Sequence, residues 1–374
     1  MRAFLFFILM SAAALCCAQP AVPPPAIAAK SFLLIDYYSQ QLLASQRAEE
    51  RFEPASLTKL MTAYITFGAL RQKSIQLTQT VPVSERAWKA EGSRMFIEPR
   101  KPVTVDELIH GMIIQSGNDA CIALAELIAG SEETFAQLMN KEAQRLGMKN
   151  SNFMNATGLP NPQHYSTAYD LALLASAIIR DFPEYHPLYS MKEYRYNNIT
   201  QANRNRLLWS DPTVDGMKTG YTDNAGYCLI TSAKRGERRL LSVVLGTASE
   251  TARAAESQKL LNYGFQFYDS VKLYEANQMV ASLPVWKGSG NSVKAGFVTD
   301  MYASVPKGQA DKLKARLESQ QPLIAPVAAG QKIGVMKLAL DGKPYADIPV
   351  VALEAVPLAG IIGRGWDSIR LLFK

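Results

Sequence analysis

A run of apolar residues at helical spacing begins just after Pro54 and occupies almost every face of the helix it would form. Leu57, Leu60, Met61, Tyr64, Ile65 and Gly68 recur at that spacing, and Ala63, Phe67 and Ala69 fill much of the rest. Such a helix is buried nearly all round, so further layers must enclose it. Pro54 is tolerated just ahead of a helix start. The first turn nevertheless carries two polar residues, Ser56 and Lys59. Positions three apart share a face, so the hydroxyl and the amine can meet. A serine is a useful nucleophile only when a base takes its proton. Lysine becomes that base when burial or a nearby cation lowers its pKa from ~10.4. The helix start adds backbone N–H groups for a developing oxyanion. Ser-x-x-Lys alone is a weak signal, because a helix cap followed by a solvated lysine looks the same.

The chain has 374 residues, which points to two domains. Residues 1–18 read as a signal peptide: Arg2, an apolar run from Ala3 to Ala14, then Cys16-Cys17-Ala18 as a small-residue cleavage site. That run is short for a spanning helix, and a lipid-modified cysteine fits it poorly. Gln19 to Ala29, rich in Pro and Ala, reads as a flexible mature N-terminus. Export implies an oxidising compartment, yet only Cys121 and Cys228 remain after the leader. Both lie in apolar elements, so two buried free thiols are expected rather than a disulfide. The formal charge of +7 suits attraction to anionic lipid or wall polymers. An exported protein meets no nucleic acid. His110, His164 and His186 show no metal-ligand spacing, so no metal or cofactor is expected.

The organisation follows from hydrophobic period. Ser31 to Ile35 and Gln41 to Ser45 read as a hairpin. Helices follow over Val105–Gln115, Asp119–Ala129, Glu132–Leu146 and Ala168–Arg180. From Lys218 the period changes, and Lys218–Thr222, Tyr227–Ala233 and Arg239–Gly246 read as successive strands before a closing helix over Glu250–Asp269. Strands at both ends with helices between predict an α/β (α+β) domain over 30–270. Its largely antiparallel sheet would be closed by both ends of the domain. Residues 272–360 alternate in short runs broken by Pro and Gly, and Asp341-Gly342 is a hairpin signal. They predict a small all-β sandwich domain. In 361–374, Ile362, Trp366, Ile369 and Phe373 form one helical stripe with cationic flanks. This reads as an amphipathic helix lying on a membrane; the other reading packs it on the β domain.

Two further stretches raise the weight of Ser56 and Lys59. Ser116-Gly117-Asn118 lies between two apolar helices, and Lys218-Thr219-Gly220 opens a strand. In the order Ser-x-x-Lys, Ser-x-Asn, Lys-Thr-Gly, the chain resembles the penicillin-binding serine D,D-peptidases and serine β-lactamases. The wider wording is Pro-Ala-Ser-Leu-Thr-Lys (54–59), Gln-Ser-Gly-Asn-Asp-Ala-Cys (115–121) and Val-Asp-Gly-Met-Lys-Thr-Gly-Tyr-Thr (214–222). It is similar to the low-molecular-mass D-alanyl-D-alanine carboxypeptidases, over nearly the whole mature chain.

That resemblance implies roles for nine residues. Ser56 attacks the peptide bond between two terminal D-alanines of a peptidoglycan pentapeptide, and Lys59 takes its proton. Ser116 relays a proton to the leaving amine, and Asn118 holds the substrate amide. Lys218 and Thr219 receive the terminal carboxylate, with Arg204 as a helper. Gly220 lets substrate lie on the strand, and the N–H groups of Ser56 and Tyr221 form the oxyanion hole. Relatives often carry histidine where this chain has Tyr221. The resemblance also implies inhibition by β-lactams, and a periplasmic enzyme held peripherally on the outer face of the inner membrane through 361–374. The alternatives are a β-lactamase, a D,D-endopeptidase, or a non-catalytic wall-binding protein. Class A β-lactamases use Ser-Asp-Asn and a Glu-x-x-Leu-Asn stretch. Position 117 here is Gly, and no such stretch lies between Asn118 and Lys218.

Overall fold

A computed structural model describes residues 22–371, and the chain divides into two compact units with the boundary between Ser270 and Val271. The signal peptide expected at 1–18 and Phe373 lie outside the described residues, as do the side chains of Ile362 and Ile369.

The first unit is built on a five-stranded antiparallel sheet. Strand Ser31–Asp36 sits between Leu42–Gln46 and Arg238–Thr247, followed by Gly226–Arg235 and, at the edge, Val214–Thr222. An N-terminal strand paired with a strand some 200 residues later closes the domain from both ends. Helix Glu250–Phe267 covers one face, with Leu260 and Leu261 against Leu34, Leu240 and Val244. The other face carries a larger core that surrounds helix Lys59–Arg71, where Leu60, Met61, Ala63 and Phe67 are fully enclosed. Thus the helix that is apolar all round is the hub of this core. Helices Val105–Ile114, Asn118–Ala129, Glu132–Arg145 and Ala168–Asp181 pack about it.

Local chemistry sets several boundaries. Thr104 and Glu107 form a capping box: the Thr104 Oγ1 accepts from Glu107 N–H at 3.2 Å, and the Glu107 carboxylate accepts from Thr104 N–H at 2.8 Å. Ser131, Thr167 and Ser249 cap their helices with the side-chain oxygen alone, which accepts from the N–H of Thr134, Asp170 and Ala252. Two expectations change. Lys218 does not open its strand, which already begins at Val214 and pairs there with Ala233. Asp215 and Gly216 are poor strand formers and masked that start. A second hairpin, Glu193–Tyr196 with Ile199–Ala202, was also not foreseen.

The second unit is all β. Its six-stranded sheet has the order Leu313–Ser319, Lys332–Leu340, Lys343–Ala352, Ser292–Gly296, Met279–Trp286, Leu323–Ile324. The last pair is parallel and the rest antiparallel. A two-stranded sheet of Tyr268–Tyr274 and Met301–Pro306 completes it. Val293, Ala303, Ile333, Met336 and Val350 share one core. Asp341 and Gly342 both take positive φ, 51° and 76°, which is the turn geometry that suits the twist of a two-residue hairpin. Helix Ile361–Leu371 touches this unit through polar groups: Asp367 accepts the Lys287 N–H at 2.7 Å, and the Arg370 guanidinium stands 5.8 Å from the Trp286 ring. Trp366 is 64% exposed.

Candidate active site

Ser56 lies on a 3-10 turn, Ala55–Thr58, and the α-helix proper starts at Lys59. The turn is held from both sides. Ala55 takes a positive φ of 48°. Behind it, Gly158 also has positive φ, and a Cβ there would lie 1.8 Å from the Ala55 carbonyl oxygen. In front, a Cβ on Gly220 would stand 3.1 Å from the Pro54 carbonyl oxygen and 3.3 Å from Ala55 Cβ. Two glycines therefore let a loop and the edge strand close on the turn that carries Ser56.

Lys59 Nζ lies 2.9 Å from Ser56 Oγ and 2.6 Å from the Thr157 carbonyl oxygen. The lysine is 1% exposed, and burial lowers its pKa to about 8, with the Arg204 charge adding to the effect. Nothing in the sequence singled out Thr157. Its carbonyl is aimed by an Asx turn, in which Asn155 Oδ1 accepts from the N–H groups of Thr157 and Gly158 at 3.2 and 2.7 Å. One residue before Lys59, Thr58 Oγ1 is 2.9 Å from His164 Nε2. Met154 N–H donates to His164 Nδ1 at 3.4 Å, which leaves the ring proton on Nε2 to be given to Thr58. Burial lowers His164 to about 4, so it is a neutral core histidine.

The second serine and lysine repeat this geometry. Ser116 stands between two helices with φ of 67°, and Lys218 Nζ lies 2.9 Å from its Oγ and 2.9 Å from the Thr219 carbonyl oxygen. Burial, then the charges of Lys59 and Arg204, push Lys218 well below its usual pKa. Two buried lysines near one another cannot both hold a proton at little cost. Gly117 has no room for a side chain, since a Cβ would fall 2.8 Å from Asp119 Oδ1. That is a steric reason for glycine rather than the aspartate of Ser-Asp-Asn. Asn118 Nδ2 donates to the Glu91 carbonyl at 2.6 Å, whereas its buried Oδ1 has no partner.

These residues open on one pocket of about 380 Å³. Ser56, Ser116, Asn118, Arg204, Thr219, Gly220 and Tyr221 all line it. Lys59 and Lys218 do not line it, and each reaches it through its serine hydroxyl. Tyr221 forms part of the rim, with its OH donating to Asp223 at 2.8 Å and its ring 4.3 Å from that of Tyr227. Such an arrangement can make a serine alkoxide beside a neutral amine, hold a carboxylate at a cationic end, and offer an amide acceptor between them.

Comparison with known proteins agrees with this chemistry. A model of the D-alanyl-D-alanine carboxypeptidase family matches residues 18–249. The chain belongs to this family. A model of the penicillin-binding protein 5 C-terminal domain matches residues 268–358. D-alanyl-D-alanine carboxypeptidase DacC of Escherichia coli is 43% identical over 340 residues, 89% of this chain and 85% of that one. A crystal structure of penicillin binding protein 5 from Haemophilus influenzae has a TM-score of 0.84 at 42% identity, covering 90% of this chain and 99% of that chain. Penicillin-binding protein D2 of Listeria monocytogenes in its ampicillin-bound form has a TM-score of 0.61 at 30% identity, covering 65% of this chain and all of that one.

Within this member of the D-alanyl-D-alanine carboxypeptidase family, Asp119 is a further residue that motif reading passed over. Its buried carboxylate accepts the N–H groups of Met95, Phe96, Ile97 and Ala120 at 3.0, 2.8, 3.3 and 2.9 Å. It thereby ties the 93–97 segment to the start of the Asn118 helix, where Asn118 N–H donates to Ser93 carbonyl at 2.7 Å. An acid in the first turn of an apolar helix was the available signal. Asp119→Ala should strand buried N–H groups and cost about 3 kcal/mol or more. For a domain of this size that lowers Tm by roughly 6–12 °C, which a thermal melt checks. A Tm within 2 °C of wild type would contradict the role given to the carboxylate.

Proposed function

We propose that the protein is a serine-type D-Ala-D-Ala carboxypeptidase that removes the terminal D-alanine of peptidoglycan pentapeptides through an acyl-enzyme on Ser56. The single observation that carries this reading is the Ser56–Lys59 pair at 2.9 Å, opening on the same pocket as the Ser116–Lys218 pair. Neutral Lys59 takes the Ser56 proton as Oγ adds to the carbonyl carbon between the two D-alanines. The oxyanion is received by the N–H groups of Ser56 and Tyr221, each donor worth roughly 3 kcal/mol in such sites. Collapse breaks the C–N bond, the leaving D-alanine amine takes a proton through Ser116, and a Ser56 ester remains. Water then hydrolyses the ester. Lys218, Thr219 and Arg204 hold the substrate carboxylate. The unpartnered Asn118 Oδ1 is suited to accept the substrate amide N–H.

A β-lactam carries the same acylable carbonyl and a carboxylate, so it should acylate Ser56. Lacking a Glu-x-x-Leu-Asn stretch, the enzyme should release that adduct slowly. Incubation with benzylpenicillin, intact mass and peptide mapping test this. The result expected is one stable adduct on the peptide bearing Ser56; an adduct elsewhere, or none, contradicts the proposal.

The same reading places the enzyme in cell-wall biogenesis and the control of cell shape, exported to the periplasm and held on the inner membrane. The leader at 1–18, the stripe in 361–374 and the exposure of Ile361 and Trp366 support it. Burial of a large apolar side chain contributes roughly 1.5–3 kcal/mol, and a cation near anionic lipid about 1 kcal/mol. Against the cost of ordering the segment, that leaves peripheral, salt-sensitive binding. Deleting 362–374 should move the protein to the soluble fraction with peptide activity intact, because every catalytic candidate precedes residue 222. Continued sedimentation with membranes would refute the anchor.

A further inference from the structure

Arg253 belongs to none of the three motifs, yet it is among the residues that line the pocket, and its guanidinium is built into the backbone of the site. It stands on helix Glu250–Phe267 and is 3% exposed. Nη1 donates to the Gly220 carbonyl at 3.3 Å and Nη2 to the Arg204 carbonyl at 3.4 Å. The Glu250 carboxylate at 3.6 Å and the Tyr227 ring, 5.6 Å away at its centroid, hold the guanidinium in place. The Gly220 carbonyl and the Tyr221 N–H are the two ends of one planar peptide unit. A cation hydrogen-bonded to the carbonyl end withdraws electron density and makes the N–H end a stronger donor. On the far side, Gly220 is close against Pro54 and Ala55, beside Ser56. The Gly220–Tyr221 peptide is thus gripped between Arg253 and the turn that carries the nucleophile.

We propose that Arg253 is a positioning residue for the oxyanion hole, clamping and polarising the Gly220–Tyr221 peptide while its second contact holds the backbone from which Arg204 reaches the pocket. The inference rests on the reading above, in which the Tyr221 N–H receives the oxyanion.

The test uses the full-length protein as Arg253→Gln and Arg253→Lys. Three quantities are measured: the benzylpenicillin acylation rate, kcat and KM on a peptide ending in D-Ala-D-Ala, and the infrared carbonyl band of the penicilloyl ester with a ¹³C label. Weakening one oxyanion donor without removing it should lower acylation and kcat of Arg253→Gln about tenfold, short of the 10²–10³ seen on deleting a donor. KM should stay within about threefold, and the ester band should move to higher wavenumber as its hydrogen bond weakens. Lysine, with one ammonium for two carbonyls, should fall between in both rate and band, and it decides the matter if Arg253→Gln does not fold. Wild-type rate and band in either variant would overturn the proposal. So would a rise in KM with kcat kept, which would make Arg253 a ligand for the substrate carboxylate. Failure of the wild-type protein to form any adduct would overturn the underlying reading and this proposal with it.

Discussion

Ser56→Ala should form no penicilloyl adduct and release no D-alanine, with activity down by about 10⁴-fold or more. Ser116 is the competing nucleophile, since its hydroxyl also lies 2.9 Å from a lysine with a lowered pKa. Two physical differences favour Ser56. Both serines line the pocket, but Ser116 is only 3% exposed whereas Ser56 is half-buried. Ser116 sits between the C-terminal end of one helix and the start of the next, so the two end dipoles oppose one another there. Ser56 precedes a single helix start. Removing one hydroxyl from a half-buried turn should leave the fold intact, so thermal unfolding serves as the control. A Ser56→Ala protein that still gives a stable penicilloyl adduct would move the nucleophile to Ser116.

Lys59→Arg should lose acylation by about 10³-fold or more, because guanidinium stays protonated at any ordinary pH and cannot take the Ser56 proton. The site is tight, so Lys59→Met is the companion variant. It removes a buried amine at similar volume and should leave Tm unchanged or raised while acylation is lost. For wild type, a base lowered to about 8 means the acylation rate rises with pH through that value and then levels. The stability sign follows separately. The folded pKa lies below the unfolded value of ~10.4, so between those values the unfolded chain binds more protons. Lys59 therefore makes the fold gain stability as pH rises across that window. An acylation rate independent of pH between 6 and 9 would remove Lys59 from the role of base.

Much of the fold could be read from period and punctuation, and the physical reason is that those signals are local. The apolar helix after Ser56, the antiparallel strands from residue 226 and the Asp341-Gly342 turn depend on residues close in sequence. The hairpin around Asn197 and Asn198 was missed, although Asn-Asn is a turn signal; both residues take positive φ, 49° and 63°, in the turn that joins its strands. Ser56 on a 3-10 turn was not legible, because Gly158 and Gly220 shape that turn from 102 and 164 residues away. The serine and lysine motifs identify side chains by type and order. They cannot identify the Thr157 carbonyl on Lys59, or Arg253 on Gly220, since backbone acceptors leave no residue-type signature. Asp119 falls between these cases: its place in a first turn was visible, but its four N–H partners come mainly from a loop more than 20 residues upstream.

We propose that Ser56 cuts the bond between two C-terminal D-alanines. A peptide ending in D-Ala-D-Ala, incubated with purified protein and followed by mass spectrometry, tests it directly. The expected result is free D-alanine with a product shortened by one residue, and no cleavage of the same peptide ending in D-Ala-L-Ala. Intact substrate after incubation with protein that benzylpenicillin labels at Ser56 would contradict the account.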